Sequence, residues 1–275
     1  MANIKIHPTA IVSPDAQIAS NVEIGAYCVV DGKVEIGEGT ILRPFSRVCD
    51  YTKIGKNCRI HEHAVIGGPP QDLSYKGEIT WAILGDGVTC REYVTINRAT
   101  GEGETTEIGD GCFIMENVHC AHNVKTGKGC TIANKNGIAG HVHIGDYAVI
   151  GGMSGFHQFV HIGSYCMVGG MSRLTQDIPP FMMAVGAPVR VYDINKVGLR
   201  RRGFDQTQRT KIHNLYKKIY DEGLLFKEAI AEIEREFPTD PEARLIIDFA
   251  RSTIRGFAPR FTREAKKSAT DEELA

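Results

Sequence analysis

Four histidines between Asn117 and Gln158 have the type and spacing to do chemistry: His119, His122, His141 and His157. If the chain around them winds in 18-residue coils, His141 and His157 fall in the columns of Asn123 and Ala121, flanking His122. A fifth histidine, His143, maps further off, to the column of Lys125. Stacked coils rise by one inter-strand spacing, ~4.8 Å, so such imidazoles are neighbours. They support two chemistries. A neutral imidazole takes a proton from a hydroxyl or amine nucleophile, worth ~10²- to 10⁴-fold. Three imidazoles can instead hold zinc with one position open, for hydration or hydrolysis. Gly140 stands in the column of His122 one coil on, where a backbone N–H can approach a developing oxyanion, a contribution of ~10²- to 10³-fold.

The coils that must position these residues are legible as a repeat. Stepping by six from Ile6 reaches Val12, Ile18, Ile24 and onward to Ile66 without a miss, then resumes in the same frame from Leu84 to Leu174. Only Asp72, Glu78 and Glu102 fail, and they mark two insertions. Four residues after many of these positions comes a second small or branched residue, as at Val22, Cys28, Val34, Val118 and Val142. A helix would repeat every 3.6 residues and a single strand every two. A period of six is that of a parallel β-helix, three short strands to a triangular coil around one narrow core. Seven of the eight cysteines, all but Cys49, fall on the two inward columns and read as apolar fillers. The histidines off those columns are expected to project from the wall, available to a substrate.

Composition agrees. Thirty glycines with 8% aromatic residues favour a turn-rich β architecture, and a formal charge of −1 argues against a nucleic-acid partner. The start, MANIKIHPTAIV, lacks a charged leader with an apolar core, and no run is long enough to span a bilayer, so a cytoplasmic protein without stable membrane insertion is expected.

The first insertion, Gly67 to Ala82, carries a Pro-Pro turn, the Gln71-Asp72 pair and the only tryptophan, Trp81; it reads as a binding loop on a rigid scaffold. The second, Asn97 to Glu107, is rich in glycine and acid and reads as a flexible lobe. After Leu174 prolines end the repeat, and helical spacing follows: one helix behind an Asp205 cap, a second with Phe226, Ile230 and Ile233 on one face, and a third from Asp240-Pro241 through Ile254. The expected organisation is a β-helix over 1–190, a small helical domain over 191–256 and a charged, disordered tail over 257–275. Arg200, Arg201 and Arg202 beside Gly203 read either as a solvated helix end or as a grip on phosphate.

These residues carry a resemblance. His-Pro-Thr-Ala at 7–10, Ile-Gly-Gly-Pro-Pro-Gln-Asp-Leu at 66–73, Arg-Glu-Tyr-Val-Thr-Ile at 91–96, Ala-Gly-His-Val at 139–142, His-Gln-Phe at 157–159, Gln-Asp-Ile-Pro-Pro at 176–180 and Arg-Arg-Gly-Phe at 201–204 resemble the UDP-N-acetylglucosamine acyltransferases of lipid A biosynthesis. The resemblance covers roughly residues 2–256. It implies a left-handed parallel β-helix, although the rule for parallel crossovers favours the right hand. It also implies a homotrimer with sites between subunits and transfer of an acyl group from acyl carrier protein to the sugar 3-position, with no metal or organic cofactor.

Residue by residue, the resemblance implies His122 as general base and Gly140 as oxyanion donor. Asp72 matches a sugar-binding carboxylate beside Gln71, and His141, His157 and Gln158 match nucleotide-sugar and pantetheine contacts, with His119 near the substrate. Asn195 and Arg202 match nucleotide contacts, with Arg201 near phosphate, and Gly170 matches a floor under the acyl chain that admits a long hydroxyacyl group. Three positions depart from the family pattern: Asn123 stands for an aspartate, Val197 for an acidic residue and Asn97 for a histidine. Asn123 keeps an orienting hydrogen bond to the base but not the charge, and the last two leave open the 3-amino analogue of the sugar as acceptor. A zinc lyase resembling the γ-type carbonic anhydrases is the alternative on the same scaffold, and a binding trimer without activity a third.

Overall fold

In a computed structural model that describes residues 3–261, the six-residue period becomes a parallel β-helix with three flat faces of eleven, nine and eight strands. The chain meets the faces in the order Lys5–Ile6, Ile11–Val12 and Gln17–Ile18, here the first, second and third. Most strands are two residues long, one side chain inward and one outward. Lys5 pairs with Glu23, Ile11 with Val29 and Gln17 with Glu35, which sets the 18-residue coil.

Both inward columns are buried: Ile60, Ile114, Ile138 and Ile150 on one, Val22, Val118, Val142 and Val160 on the other, are each 0% exposed. Burying such a side chain is worth ~1.5–3 kcal/mol, and each coil contributes several. All eight cysteines are buried and free, Cys49 included, and burial pushes the Cys120 thiol up to about 12. The apolar-filler reading of these thiols therefore holds. Where the second column turns polar, backbone groups satisfy it: the Asn136 amide donates to Ala133 and Gly151 carbonyls, and the Ser172 hydroxyl to that of Gly169.

The coil winds left-handed. The right-handed preference comes from twisted strands feeding long crossovers. Two-residue strands joined by short corners have little twist to impose.

Both insertions leave the second corner, between the second and third faces: one separates Val65–Gly68 from Trp81–Leu84, the other Thr95–Asn97 from Thr105–Ile108. Across them Lys53 pairs with Ile83 and Ile83 with Glu107. The added chain is thus two hexapeptides and then one, and the frame survives.

Beyond the last coil, Met182–Val185 joins the first face in parallel and Arg190–Ile194 pairs with it antiparallel. The domain boundary expected at 190 therefore falls inside a strand. Four helices follow: α1 (Lys196–Arg201), α2 (Gln206–Tyr220), α3 (Phe226–Glu236) and α4 (Pro241–Ser252). Asp205 caps α2 in a capping box with Gln208. Asp240 caps α4, which stops at Ser252 rather than at Ile254. The helices are tied to the coil by buried Asp177, whose carboxylate accepts from His161 N (2.7 Å), from Ile254 N and Arg255 N (3.2 Å each) and from the Thr253 hydroxyl.

The expected disordered tail begins too early at 257. Phe257 is 5% exposed, wedged against Phe226 and Phe249, and Val191 and Arg260 form a bridge. The apolar burial of one phenylalanine outweighs the charged composition around it. The rest of that tail, 262–275, lies outside the described residues. Among the described residues no helix is long and apolar enough to cross a membrane.

Candidate active site

Successive coils bring Ala121–Val124, Ala139–Val142 and His157–Val160 to the same second corner. The third residue of each turn, Asn123, His141 or Phe159, adopts a left-handed backbone with φ of 58°, 59° and 64°. Inter-coil hydrogen bonds stack the turns: His141 N donates to His122 O (3.1 Å) and Phe159 N to Gly140 O (3.2 Å). Gly140 thus sits over the His122 ring so closely that a Cβ there would stand 2.5 Å from Nε2. The Gly140 N–H has no protein acceptor among the described residues.

His122 is only 4% exposed, which corrects the expectation of an imidazole standing open on the wall. The two insertions fold over it. Its Nδ1 lies 3.0 Å from Asn123 Oδ1, its Nε2 lies 3.8 Å from Asp72 Oδ2, and the His141 ring meets it edge-on at 5.2 Å. His141 in turn stacks on Phe159 at 4.6 Å.

Each insertion is held in place. In the first, Ser74 N donates to Asp72 Oδ1 (2.8 Å), and this bond, the Ser74 side chain and then the nearby imidazoles hold the Asp72 carboxyl below its usual range. Arg98, 8% exposed, lies under the same loop: it donates to Asp50 O (3.4 Å) and Tyr75 Oη (3.3 Å) and covers the Tyr51 ring at 5.1 Å. No carboxylate among the described residues pairs with it. Asn97 donates to Pro69 O (2.6 Å).

The second insertion is no free lobe. Gly101 N donates to Glu78 Oε1 (3.1 Å), Gly103 N to Ile79 O (2.9 Å) and Trp81 N to Glu104 O (3.0 Å), which lace it to the first. It also brings Thr100 against Asn123, where Thr100 N donates to Asn123 Oδ1 (2.9 Å). Sequence reasoning missed Thr100; the only signal was an insertion one hexapeptide long beside a histidine. It also missed Gly137 and Gly155, outward positions of the second face between His119 and Arg173, where a Cβ would meet nothing within 4 Å. Two glycines 18 apart on an outward column were the available sign.

The expected site residues do not all converge within one chain. His122, His141, Gly140 and Asp72 meet, with Gln71 exposed beside Asp72. His119 lies on the adjacent second face, its Nδ1 2.8 Å from Thr95 Oγ1, and burial lowers its pKa; burial and then the charge on His122 lower that of His141. His157 and Gln158 are exposed on the next turn of the same corner. Gly170 is exposed at the first corner, between Met167–Val168 and Arg173–Leu174. Arg202 covers Tyr147 at the third corner, 4.3 Å from the ring, and neighbouring Arg201 is exposed. Asn195 caps α1: its Oδ1 accepts from Gly198 N (3.0 Å) and its Nδ2 donates to Tyr165 O (2.9 Å).

Nor do the corner histidines form a metal cluster in this chain. Among the described residues the one group of ligand atoms within 4.8 Å of each other is His61, Glu62 and Glu92 at the first corner, and Arg91 already holds both Glu92 oxygens (2.9 and 3.1 Å).

A β-helix of hexapeptides that buries one imidazole beside an uncommitted backbone N–H, under loops from the same corner, defines a hexapeptide-repeat acyltransferase. A family profile described as UDP N-acetylglucosamine O-acyltransferase, domain 2, matches residues 177–258. The acyl-[acyl-carrier-protein]–UDP-N-acetylglucosamine O-acyltransferase of Thermodesulfovibrio yellowstonii is 45% identical over 92% of this chain and 98% of its own, and that of Chlamydia abortus is 43% identical over 98% of each. The chain belongs to the UDP-N-acetylglucosamine O-acyltransferase family. The crystal structure of LpxA from Acinetobacter baumannii superposes with a TM-score of 0.89 at 42% identity, covering 92% of this chain and 99% of that one. A profile of the GMPPB C-terminal domain matches residues 1–101, a span that ends before the histidine corner. Family membership sets aside the zinc-lyase and inactive-scaffold alternatives.

Proposed function

We propose that this protein moves a long-chain 3-hydroxyacyl group from acyl carrier protein to the 3-hydroxyl of UDP-N-acetylglucosamine, the first step of lipid A biosynthesis, as a cytoplasmic homotrimer. The observation that carries the reading is His122, buried with Nδ1 against Asn123 and Nε2 beside Gly140 and Asp72.

The sugar oxygen attacks the thioester carbonyl carbon while His122 Nε2 takes its proton. Charge then builds on the carbonyl oxygen, where the uncommitted Gly140 N–H stabilises it. The C–S bond breaks, and the imidazolium returns the proton to the departing pantetheine thiolate. The products are the acylated sugar and free thiol. Asp72, held ionised by Ser74, accepts from a sugar hydroxyl and steadies the imidazolium.

The trimer is supported by placement. His122, Gly170 and Arg202 occupy three different corners of one prism, so a site using all of them draws on neighbouring copies. Leu73, in the first insertion, is wholly exposed beside Asp72, an apolar side chain placed to meet another chain. In such a cleft His119, His157 and Gln158 contact sugar and pantetheine, Asn195, Arg201 and Arg202 the nucleotide, and Gly170 ends the acyl channel. The bare strip at Gly137 and Gly155 gives the chain room.

The neutral Asn123 favours a second acceptor, the 3-amino analogue, because a carboxamide lends the base no charge and an amine asks less of it. Incubation with a panel of acyl carrier protein thioesters and both nucleotide sugars, followed by mass spectrometry, tests both. Loss of turnover in His122→Ala, with the trimer retained by sedimentation, is expected; an active mutant would sink the base assignment.

A further inference from the structure

Asn123, 5% exposed, turns both ends of its carboxamide to protein partners. Its Oδ1 accepts from Thr100 N (2.9 Å) and Thr100 Oγ1 (3.1 Å), its Nδ2 donates to Thr100 O (3.1 Å), and the same Oδ1 faces His122 Nδ1 at 3.0 Å. A backbone N–H can only donate and a backbone C=O only accept. The two main-chain groups of Thr100, together with its hydroxyl donating to the same Oδ1, therefore set which end of the amide is oxygen. A flipped amide would set NH₂ against N–H and oxygen against oxygen.

That orientation bears on the imidazole. An oxygen at 3.0 Å from Nδ1 requires the ring proton on Nδ1 and leaves the Nε2 lone pair free. Asp72, 3.8 Å from Nε2, pulls the proton the other way. A carboxylate at position 123 would answer that pull with charge and with either of two oxygens. A carboxamide has no charge and a single accepting atom, so its orientation decides the tautomer.

We propose that Thr100 is a positioning residue of the second insertion: it locks the Asn123 amide with oxygen toward His122 and so holds the ring in the Nδ1–H form, with Nε2 ready to accept a proton. This rests on His122 being the base.

The test uses the full-length protein with ¹⁵N-labelled histidine. Two-bond ¹H–¹⁵N correlations read which ring nitrogen carries the proton, and the His122 signals are those lost in His122→Ala. In the native protein the neutral ring is expected as Nδ1–H. Thr100→Val removes one donor to Oδ1 while keeping side-chain shape; the Nε2–H form should grow and kcat fall about 3- to 10-fold at constant KM. Thr100→Ser should restore both. In the Asn123→Asp background, where either oxygen accepts, the effect of Thr100→Val should shrink to under about 2-fold.

A native ring already protonated on Nε2 overturns the proposal. So does a Thr100→Val variant with the native tautomer, or one whose kcat falls equally in both backgrounds. Activity surviving His122→Ala strikes the base assignment instead, and the tautomer measurement still judges Thr100 independently.

Discussion

The His122 ring fills the space over Gly140: a methyl group on that α-carbon would stand 2.4 Å from Cε1 and 2.5 Å from Nε2. The glycine is therefore required by its neighbour one coil below as well as by any oxyanion. Gly140→Ala must push the ring aside and misalign base and donor together. A fall of ~10²-fold or more in kcat is expected, with a smaller change in KM and unchanged circular dichroism. Steady-state kinetics check it, and a mutant within threefold of native would contradict the packing.

Arg98 reaches the chemistry only through the loop it supports. Its guanidinium bonds the Tyr75 hydroxyl and the Asp50 carbonyl, and Tyr75 itself donates to Glu78 O (3.1 Å). Arg98→Leu should free the first insertion, raising KM for the nucleotide sugar several-fold through Asp72 and speeding tryptic cleavage after Lys76, which is already on the surface. Removing bonds from a buried charged donor costs ~1.5–3 kcal/mol each at most. Limited proteolysis beside sugar titration separates this outcome from general unfolding.

His143 and His161 stack face to face at 4.6 Å on the third face; His143 keeps an exposed edge, but desolvation of the stacked ring, then the charge on His161, pushes it down to about 4. An unfolded imidazole titrates near ~6.5. Between those values the unfolded chain binds the extra proton, so the contribution to stability is complete above about pH 6.5 and is lost as pH falls toward 4. His161, also lowered by burial, acts in the same direction. Melting temperature against pH should slope down on the acid side, and His143→Asn should flatten it; an unchanged slope in the variant would refute the assignment.

Gly170 offers a test of the proposed acyl floor. It is exposed, and a Cβ there would meet only Gly152 backbone atoms, O at 3.1 Å and N at 3.7 Å, so a larger side chain must point away from the coil. Gly170→Met should shift preference toward shorter acyl donors while the sugar KM holds. The same chain-length panel reads the result, and an unaltered preference would remove Gly170 from the channel.

The repeat was legible in the chain because its cause is local: every sixth side chain faces the same core, so Ile114, Cys120 and Ile138 declare their burial by position alone. The same arithmetic aligned His122, Gly140 and His157 at one corner, since residues 18 apart must stack once the coil closes, and motif resemblance added their roles. What the period could not state is what lies outside it. The insertions obey no column, so only the folded structure showed that they close over His122, that Arg98 braces one, and that Thr100 in the other grips Asn123. Composition likewise mistook 257–261 for disorder, because it does not register packing of Phe257 on Phe226 and Phe249 or its bridge to Asp177. And the prism itself sends His122 and Gly170 to different corners, since strand order assigns each coil residue to a corner whatever its chemistry, while Arg202 reaches the third corner from the end of α1; their distance within one chain is a property of three-dimensional closure alone.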